Sequence, residues 1–442
     1  MGFEHITMDC NPGVNLIVGV NGSGKTALLE GIAWALSEFL EGPPSSFIET
    51  PRFQNKWLRL KNENYMIEPT VADFSYHLNE LGKEEERPSL EFINTALKDS
   101  DNGLWISART YKLKKGKKGK IEGAGTEKKN LKRYSESLLS NQKYYESEEL
   151  ELPMLAYLST KRLEKSFSLD ERKNQYEAKQ GRLNGYIKAL DGESLMPEII
   201  DWLLKSHRDQ DHPEGDNPWK DWSQSNIGLM LMDAAEHFGI KGLAGIYYSH
   251  GRKEFMIQNK SDLVPLTSLP DGIKNILFLC LSLAWRAIKL NPQHQIRAKE
   301  LATGVVLIDE IDLHLHPTWQ GKVISFLQKQ FPRIQFFITT HSPIVVSSFE
   351  KGSLFTIEDN QVKTEGSFFG KDVNTTLTDL FNGNERGSDD IQQKANEFES
   401  LLGSKNFQSA MYKSLKADLT AVLGNIDPLI VRANTLEKLF GN

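Results

Sequence analysis

Residues 19–26 read Gly19-Val20-Asn21-Gly22-Ser23-Gly24-Lys25-Thr26. The pattern is G-x-x-x-x-G-K-[ST], a loop whose backbone N–H groups turn inward around a phosphate chain. Its flanks fit. Val14-Asn15-Leu16-Ile17-Val18 is an apolar run suited to a buried parallel strand, and Ala27 to Leu40 has helical apolar spacing. The glycines allow positive φ and close approach to phosphate. Lys25 supplies a mobile cation to the outer phosphates, and the Thr26 hydroxyl can ligate Mg²⁺. Asn21, Gly22, Ser23, Gly24, Lys25 and Thr26 are therefore candidate nucleotide-binding residues, with Thr26 also a metal ligand. The bland alternative is a Gly-rich turn with a chance lysine; the strand and helix on either side count against it. Alone, the loop says only that a nucleoside triphosphate binds.

Composition bounds the rest. A chain of 442 residues has room for one large α/β domain with an insertion, or for two domains. Hydrophobic content of 39% and charged content of 25% are those of an ordinary soluble protein. No apolar run approaches the roughly 18 residues of a membrane span, and the N-terminus carries no secretory signal. With only Cys10 and Cys280, a disulfide framework is not expected, and a reducing cytoplasm is the default. A net charge of −6 gives no global drive toward nucleic acid.

In chain order, Gly2 to Cys10 reads as part of a strand. Short antiparallel strands are expected among Trp57–Leu60, Val71–Tyr76 and Leu104–Ala108. Residues 112–133 are strongly basic. They are either a solvated loop, the usual meaning of a charge run, or a contact to a phosphate backbone. Leu152 to Leu158 is a strand, Tyr186 to Leu204 an amphipathic helical region, Ile227 to Phe238 a helix and Leu243 to Ile257 a hairpin. His207 and His212 lie in a polar loop, 207–221, without metal-ligand spacing.

Far downstream, Gly304-Val305-Val306-Leu307-Ile308-Asp309-Glu310 is an apolar strand ending in two acids. Its C-terminal end is where open α/β sheets bind ligands. There Asp309 would support Mg²⁺ and Glu310 would polarise the attacking water. Ile334 to Thr340 forms another buried strand, followed by His341-Ser342-Pro343. A histidine there can donate to a terminal phosphate, although a lone strand-end histidine is more often structural.

In this order the phosphate loop, the Asp-Glu strand end, Asp312-Leu313-His314-Leu315-His316-Pro317 and Thr339-Thr340-His341-Ser342-Pro343 resemble an ABC-type ATPase head of the OLD/RecF/SMC-like branch. The resemblance covers roughly residues 3–40 and 260–360. It implies ATP and Mg²⁺ as ligands, with Asp309 as the Walker B aspartate, Glu310 as the catalytic glutamate, Asp312 as the D-loop aspartate and His341 as the switch histidine. It also implies a head-to-tail dimer or higher oligomer. The signature segment best fits Leu269-Pro270-Asp271-Gly272, with Asp271 and Gly272 as binding candidates. Pro270 departs from the family's serine, removing a hydroxyl and an N–H. No segment marks a Q-loop; Gln54 is the candidate glutamine.

Leu152 to Arg162, Gly370 to Leu377 and Glu385-Arg386 resemble segments of the PtuA-type ATPases of Septu and retron anti-phage systems. That resemblance implies an ATPase that assembles with an HNH nuclease, PtuB, and regulates it. No H-N-H pattern stands in this chain, and Asp389-Asp390 lacks the strand setting of a Toprim acid pair. The expected fold is α/β: a P-loop sheet with an antiparallel β lobe, a mostly helical insertion and a C-terminal helical segment. The expected boundaries are 1–162 and 243–365 for the head, 163–242 for the insertion and 366–442 for the tail. Two rival readings are a RecF/SMC-like DNA clamp in repair, motivated by the basic stretch, and a scaffold that binds ATP and scarcely turns it over.

Overall fold

The computed structural model describes residues 8–40, 75–77, 105–107, 111–115, 121–125, 150–163, 181–208, 226–240, 243–249, 254–259, 262–358, 361–381, 388–404 and 407–440. The chain divides into two compact units, Met1–Phe369 and Gly370–Asn442.

The first unit begins with β1 (Val14–Val18) and α1 (Lys25–Leu40). Two antiparallel pairs follow, β2 (Ser75–His77) with β3 (Trp105–Ser107), and β4 (Tyr111–Lys115) with β5 (Ile121–Gly125). Next come β6 (Met154–Leu158), a 3₁₀ turn at Thr160–Leu163, a second at Gly181–Tyr186, α2 (Met196–Arg208) and α3 (Asn226–Phe238). A meander of β7 (Leu243–Ser249), β8 (Glu254–Asn259) and β9 (Asp262–Pro265) leads to α4 (Asp271–Leu290) and α5 (Ala298–Leu301). The unit closes with β10 (Gly304–Ile308), α6 (Pro317–Gln320), α7 (Val323–Gln330), β11 (Ile334–Thr340), α8 (Pro343–Ser347), β12 (Ser353–Glu358) and β13 (Gln361–Glu365).

The main sheet has the order β13-β12-β1-β11-β10-β6. All neighbours pair in parallel except the β12–β13 hairpin. Every residue of β1, β6, β10 and β11 is buried, as expected of parallel strands covered on both faces. The register puts Val18 opposite Thr340, and Ile308 opposite both Ile338 and Leu158. The segments that leave β1, β11, β10 and β6 therefore emerge at one edge, the edge where such sheets bind ligands.

Several expectations change. Tyr186 to Leu204 is not one helical region; the α-helix starts only at Met196 and runs to Arg208, so His207 is helical rather than the start of a loop. The cause is tertiary. The backbone carbonyls of Gly185 and Lys188 accept from buried Arg286, at 2.6 and 3.0 Å. The Ala189 carbonyl accepts from Tyr157 N–H on the edge strand β6 at 2.6 Å. Two carbonyls that would propagate a helix instead serve a buried guanidinium, and that of Ala189 covers a sheet edge. The basic stretch is not simply a loop, since β4 and β5 form a hairpin inside it. Lys112 and Lys114 alternate with Tyr111 and Leu113, which is the period of a strand. The expected 243–257 hairpin gains a third strand, β9. Met8 to Cys10 has no regular structure. Gly2 to Thr7, Gln54, Trp57–Leu60, Val71–Phe74, His212 and Glu385-Arg386 lie outside the described residues.

The second unit contains α9 (Val373–Phe381), α10 (Asp389–Gly403), α11 (Ala410–Leu423) and α12 (Pro428–Phe440). Its core gathers Phe398, Leu402, Phe407, Tyr412, Leu419 and Ile430, with the Phe398 and Tyr412 rings stacked 4.9 Å apart. Asp389 and Asp390 open α10, in the first turn that favours acids, rather than ending a strand.

Candidate nucleotide site

The loop from Gly19 to Gly24 leaves β1 and runs straight into α1, whose first residue is Lys25. Gly22 and Gly24 have φ of 81° and 105°, a region that favours glycine. The Lys25 ammonium turns back over the loop. It donates to the carbonyls of Gly19 at 2.7 Å and Val20 at 3.0 Å, and lies 3.5 Å from His341 Nδ1. Burial pushes Lys25 down to about 8, against the raising pull of Asp309, Glu310 and Asp312. Asn21 and Gly22 are exposed at the loop tip.

The acid pair follows β10. Asp309 is 1% exposed, and both of its carboxylate oxygens accept from hydroxyls: Oδ2 from Thr26 Oγ1 at 2.8 Å, Oδ1 from Thr339 Oγ1 at 2.5 Å. Glu310 is less buried and has φ of 46°. A non-glycine residue in this left-handed region carries about 1–2 kcal/mol of strain. Its N–H donates to Thr339 Oγ1 at 2.8 Å, so one hydroxyl serves both acids. Burial raises the Glu310 carboxyl, and the Asp309 and Asp312 carboxylates add to the shift. Asp312 Oδ1 accepts from Thr340 Oγ1 at 2.5 Å. Thr340 Oγ1 also accepts from Ser342 N–H at 3.0 Å. The Ser342 hydroxyl caps α8 and donates to Gln320 Oε1 at 2.7 Å. His341 is pushed below its usual value, first by burial and then by Lys25.

The chain thus brings Lys25, Thr26, Asp309, Glu310, Asp312 and His341 to one sheet edge. Asp271 and Gly272 attach differently. Asp271 is exposed and accepts from Lys274 Nζ at 3.2 Å. A Cβ on Gly272 would stand 2.7 Å from the His314 carbonyl oxygen, so this glycine is required within the chain by close backbone approach. Pro270 is the N-cap of α4 and gives it no side-chain hydrogen bond.

The residues fit a Mg²⁺-nucleotide. The Ser23 hydroxyl is buried without a partner in the loop, a donor suited to a phosphate oxygen. Among the described residues no group of three or more His, Cys, Asp or Glu could hold a metal. Mg²⁺ does not need one, because it keeps waters and phosphate oxygens and takes one or two protein oxygens. Thr26 Oγ1 and Asp309 Oδ2 are such a pair.

Thr339, Thr340, Asn275 and Arg162 belong to this network, yet motif reading gave them no role. For the threonines the signal was present: two hydroxyls at a buried strand end are costly unless bonded. Arg162 is 1% exposed and donates to the carbonyls of Asp309 at 2.6 Å and Glu310 at 2.8 Å. Nothing local marks it, since a buried arginine looks like a surface one in sequence.

A family profile described as "AAA domain" matches residues 1–213, and a second AAA-domain profile matches residues 132–347. "Retron Ec83 probable ATPase" of Escherichia coli is 29% identical over 250 residues, 56% of this chain and 46% of that protein. "Septu protein PtuA" of Bacillus thuringiensis is 34% identical over 125 residues, 26% of this chain and 32% of that protein. The chain therefore spans about half or less of these curated relatives. A solved SMC head bound to the C-winged helix domain of ScpA aligns at a TM-score of 0.41, covering 81% of this chain and 91% of that one at 13% identity. By its sheet order and the placement of its phosphate loop the first unit is an α/β P-loop fold, and the retron and Septu ATPases are relatives of the chain. No helix among the described residues is long and apolar enough to cross a membrane.

Proposed function

Taking the chain as a relative of the retron and Septu ATPases, we propose that it binds and hydrolyses ATP with Mg²⁺ in the cytoplasm, as a head-to-tail dimer or higher oligomer. We further propose that its nucleotide state regulates a partner nuclease of the HNH, PtuB-like type in anti-phage defence. The observation that carries the reading is the convergence of Thr26, Asp309, Glu310 and His341 around Lys25 at one sheet edge. Bound ATP supplies the scissile phosphoanhydride, and Mg²⁺ neutralises charge on its phosphates. Lys25, the loop N–H groups and the Ser23 hydroxyl bind phosphate oxygens. Thr26 and Asp309 hold the metal. The Glu310 carboxylate, with its raised affinity for a proton, accepts one from the attacking water. Lys25 faces His341 Nδ1, which leaves Nε2 to carry the proton and donate to the terminal phosphate.

In this reading residues 1–162 and 243–365 make the head, 163–242 the insertion, and 366–442 helices that bind the partner. Glu310→Gln should retain nucleotide binding and lower phosphate release by about 10²-fold or more. Partner nuclease activity that is indifferent to both ATP and Glu310→Gln would refute the regulatory part. A second reading, a DNA clamp, is favoured by Lys112, Lys114 and Lys115 on the β4–β5 hairpin. If replacing them leaves DNA affinity and its salt slope unchanged, that reading loses its basis.

A further inference from the structure

Arg162 lies at the end of β6, in the 3₁₀ turn Thr160–Leu163, and is 1% exposed. Its guanidinium makes four hydrogen bonds. Nη1 donates to the carbonyls of Ser159 at 3.1 Å and Asp309 at 2.6 Å. Nη2 donates to the Glu310 carbonyl at 2.8 Å, and Nε to Asn275 Oδ1 at 2.9 Å. Asn275 is fully buried in the second turn of α4 and donates from Nδ2 to the Leu313 carbonyl at 2.6 Å. One buried cation thus joins the edge strand, both carbonyls of the acid pair and the helix that begins at Asp271-Gly272. Burial lowers its pKa to about 10, so it stays charged at neutral pH.

The bonds bear on the one strained residue of the acid pair. Glu310 has φ of 46°. Its N–H is held by Thr339, and its carbonyl accepts from the Arg162 guanidinium at 2.8 Å and from Leu313 N–H at 3.0 Å. The two peptide groups that flank its Cα are both pinned, which fixes the direction in which its side chain leaves the backbone. A strained conformation persists only where its surroundings over-determine it. The same guanidinium is anchored to α4 through Asn275, so a displacement of α4 reaches the Glu310 backbone through two consecutive hydrogen bonds.

We propose that Arg162 is a positioning residue that sets the Glu310 backbone and, through Asn275, couples the start of α4 to the base of the same subunit. The inference rests on Glu310 being the base. A side chain chosen only to fill this space would not need four donors to neutral acceptors, and an uncompensated buried guanidinium is costly.

The test uses the full chain and four variants: Arg162→Lys, Asn275→Leu, the double variant, and Glu310→Gln as reference. Thermal melting, Mg²⁺-ATP affinity by titration with a fluorescent ATP analogue, and steady-state phosphate release are each measured. Arg162→Lys should keep affinity within about threefold and lower kcat by about 10–100-fold, the scale of losing a group that orients a catalytic neighbour. Asn275→Leu leaves the Arg162 bonds to Asp309 and Glu310 in place and should lower kcat by about fivefold or more at unchanged affinity. The double variant should lose less than the product of the two single losses, because part of the Asn275 effect passes through Arg162 and only the rest through its bond to the Leu313 carbonyl. If Arg162→Lys does not fold, Asn275→Leu decides alone. Unchanged kcat in a folded variant, equal losses of affinity and kcat, or additive effects overturn the inference. Wild-type phosphate release no faster than that of Glu310→Gln overturns the ATPase reading itself, and the inference with it. Normal wild-type turnover with unaffected Arg162 and Asn275 variants overturns the inference alone.

Discussion

Thr26 Oγ1 lies 2.8 Å from Asp309 Oδ2, although 283 positions separate the two residues in the chain. The contact joins the first turn of α1 to the end of β10 and sets two oxygens side by side where a Mg²⁺ ion can share them. It exists because β11 lies between β1 and β10 in register, which brings both strand ends to the same edge.

Thr26→Ala removes one oxygen of this pair. The Mg²⁺-dependent part of nucleotide affinity should fall by about tenfold or more, equivalent to about 1.4 kcal/mol. Thr26→Ser keeps the hydroxyl and should retain most of it. Nucleotide titrations with and without Mg²⁺ check this; equal losses with and without the ion would remove Thr26 from the metal site.

Thr339 is fully buried and serves both acids. Thr339→Val is nearly isosteric but strands the Glu310 N–H and leaves Asp309 Oδ1 without its donor. A stability loss of about 1–3 kcal/mol should follow from the unsatisfied groups. Phosphate release should fall by about 10–100-fold. Thr339→Ser should restore both. Melting curves and phosphate-release rates decide it, and a stable, fully active Thr339→Val would show that the hydroxyl orients nothing.

Lys25 gives affinity a pH dependence. Its value in the nucleotide-free chain is about 8. A phosphate beside it raises that value, so above pH 8 the bound state holds more protons than the free state. The association constant should therefore fall as pH rises through about 8, by at most about tenfold per pH unit. At lower pH Lys25 is charged in both states and its contribution to the slope vanishes. Titrations from about pH 6.5 to about pH 9.5 should show this slope in the wild type and its loss in Lys25→Ala. A flat wild-type profile would contradict the assignment.

Gly272→Ala tests a different contact. The added methyl group meets the His314 carbonyl at 2.7 Å, a backbone atom with little freedom to retreat. Either α4 or the segment after Asp312 has to move. Destabilisation of about 1–3 kcal/mol, the usual range for overpacking, is expected. A monomeric preparation should show it by thermal melting as clearly as an oligomeric one, since the clash is within one chain. Unaltered melting would mean that the approach relaxes freely.

Most of the sheet was legible because its strands are local signals. Val14–Val18, Leu152–Leu158 and Ile334–Thr340 are short apolar runs, and burial on both faces requires that composition. The helix boundary near Met196 was not legible, because Arg286, about a hundred positions away, takes the carbonyls a longer helix needs. The lysine hairpin was missed for another reason: charge run and strand alternation coincide in the same residues, and the charge dominated the reading.

By itself the sequence determined the chemistry available. It placed a glycine-rich loop before a lysine and a threonine, two acids after one buried strand and a histidine after another. These identities and their order are covalent facts, and each works through its own backbone neighbours. Only the tertiary structure decided which groups hold the acids in place. Arg162 reaches Asn275 across 113 positions and the Asp309 carbonyl across 147. Hydrogen bonds at such separations depend on strand order and register, which no local pattern encodes.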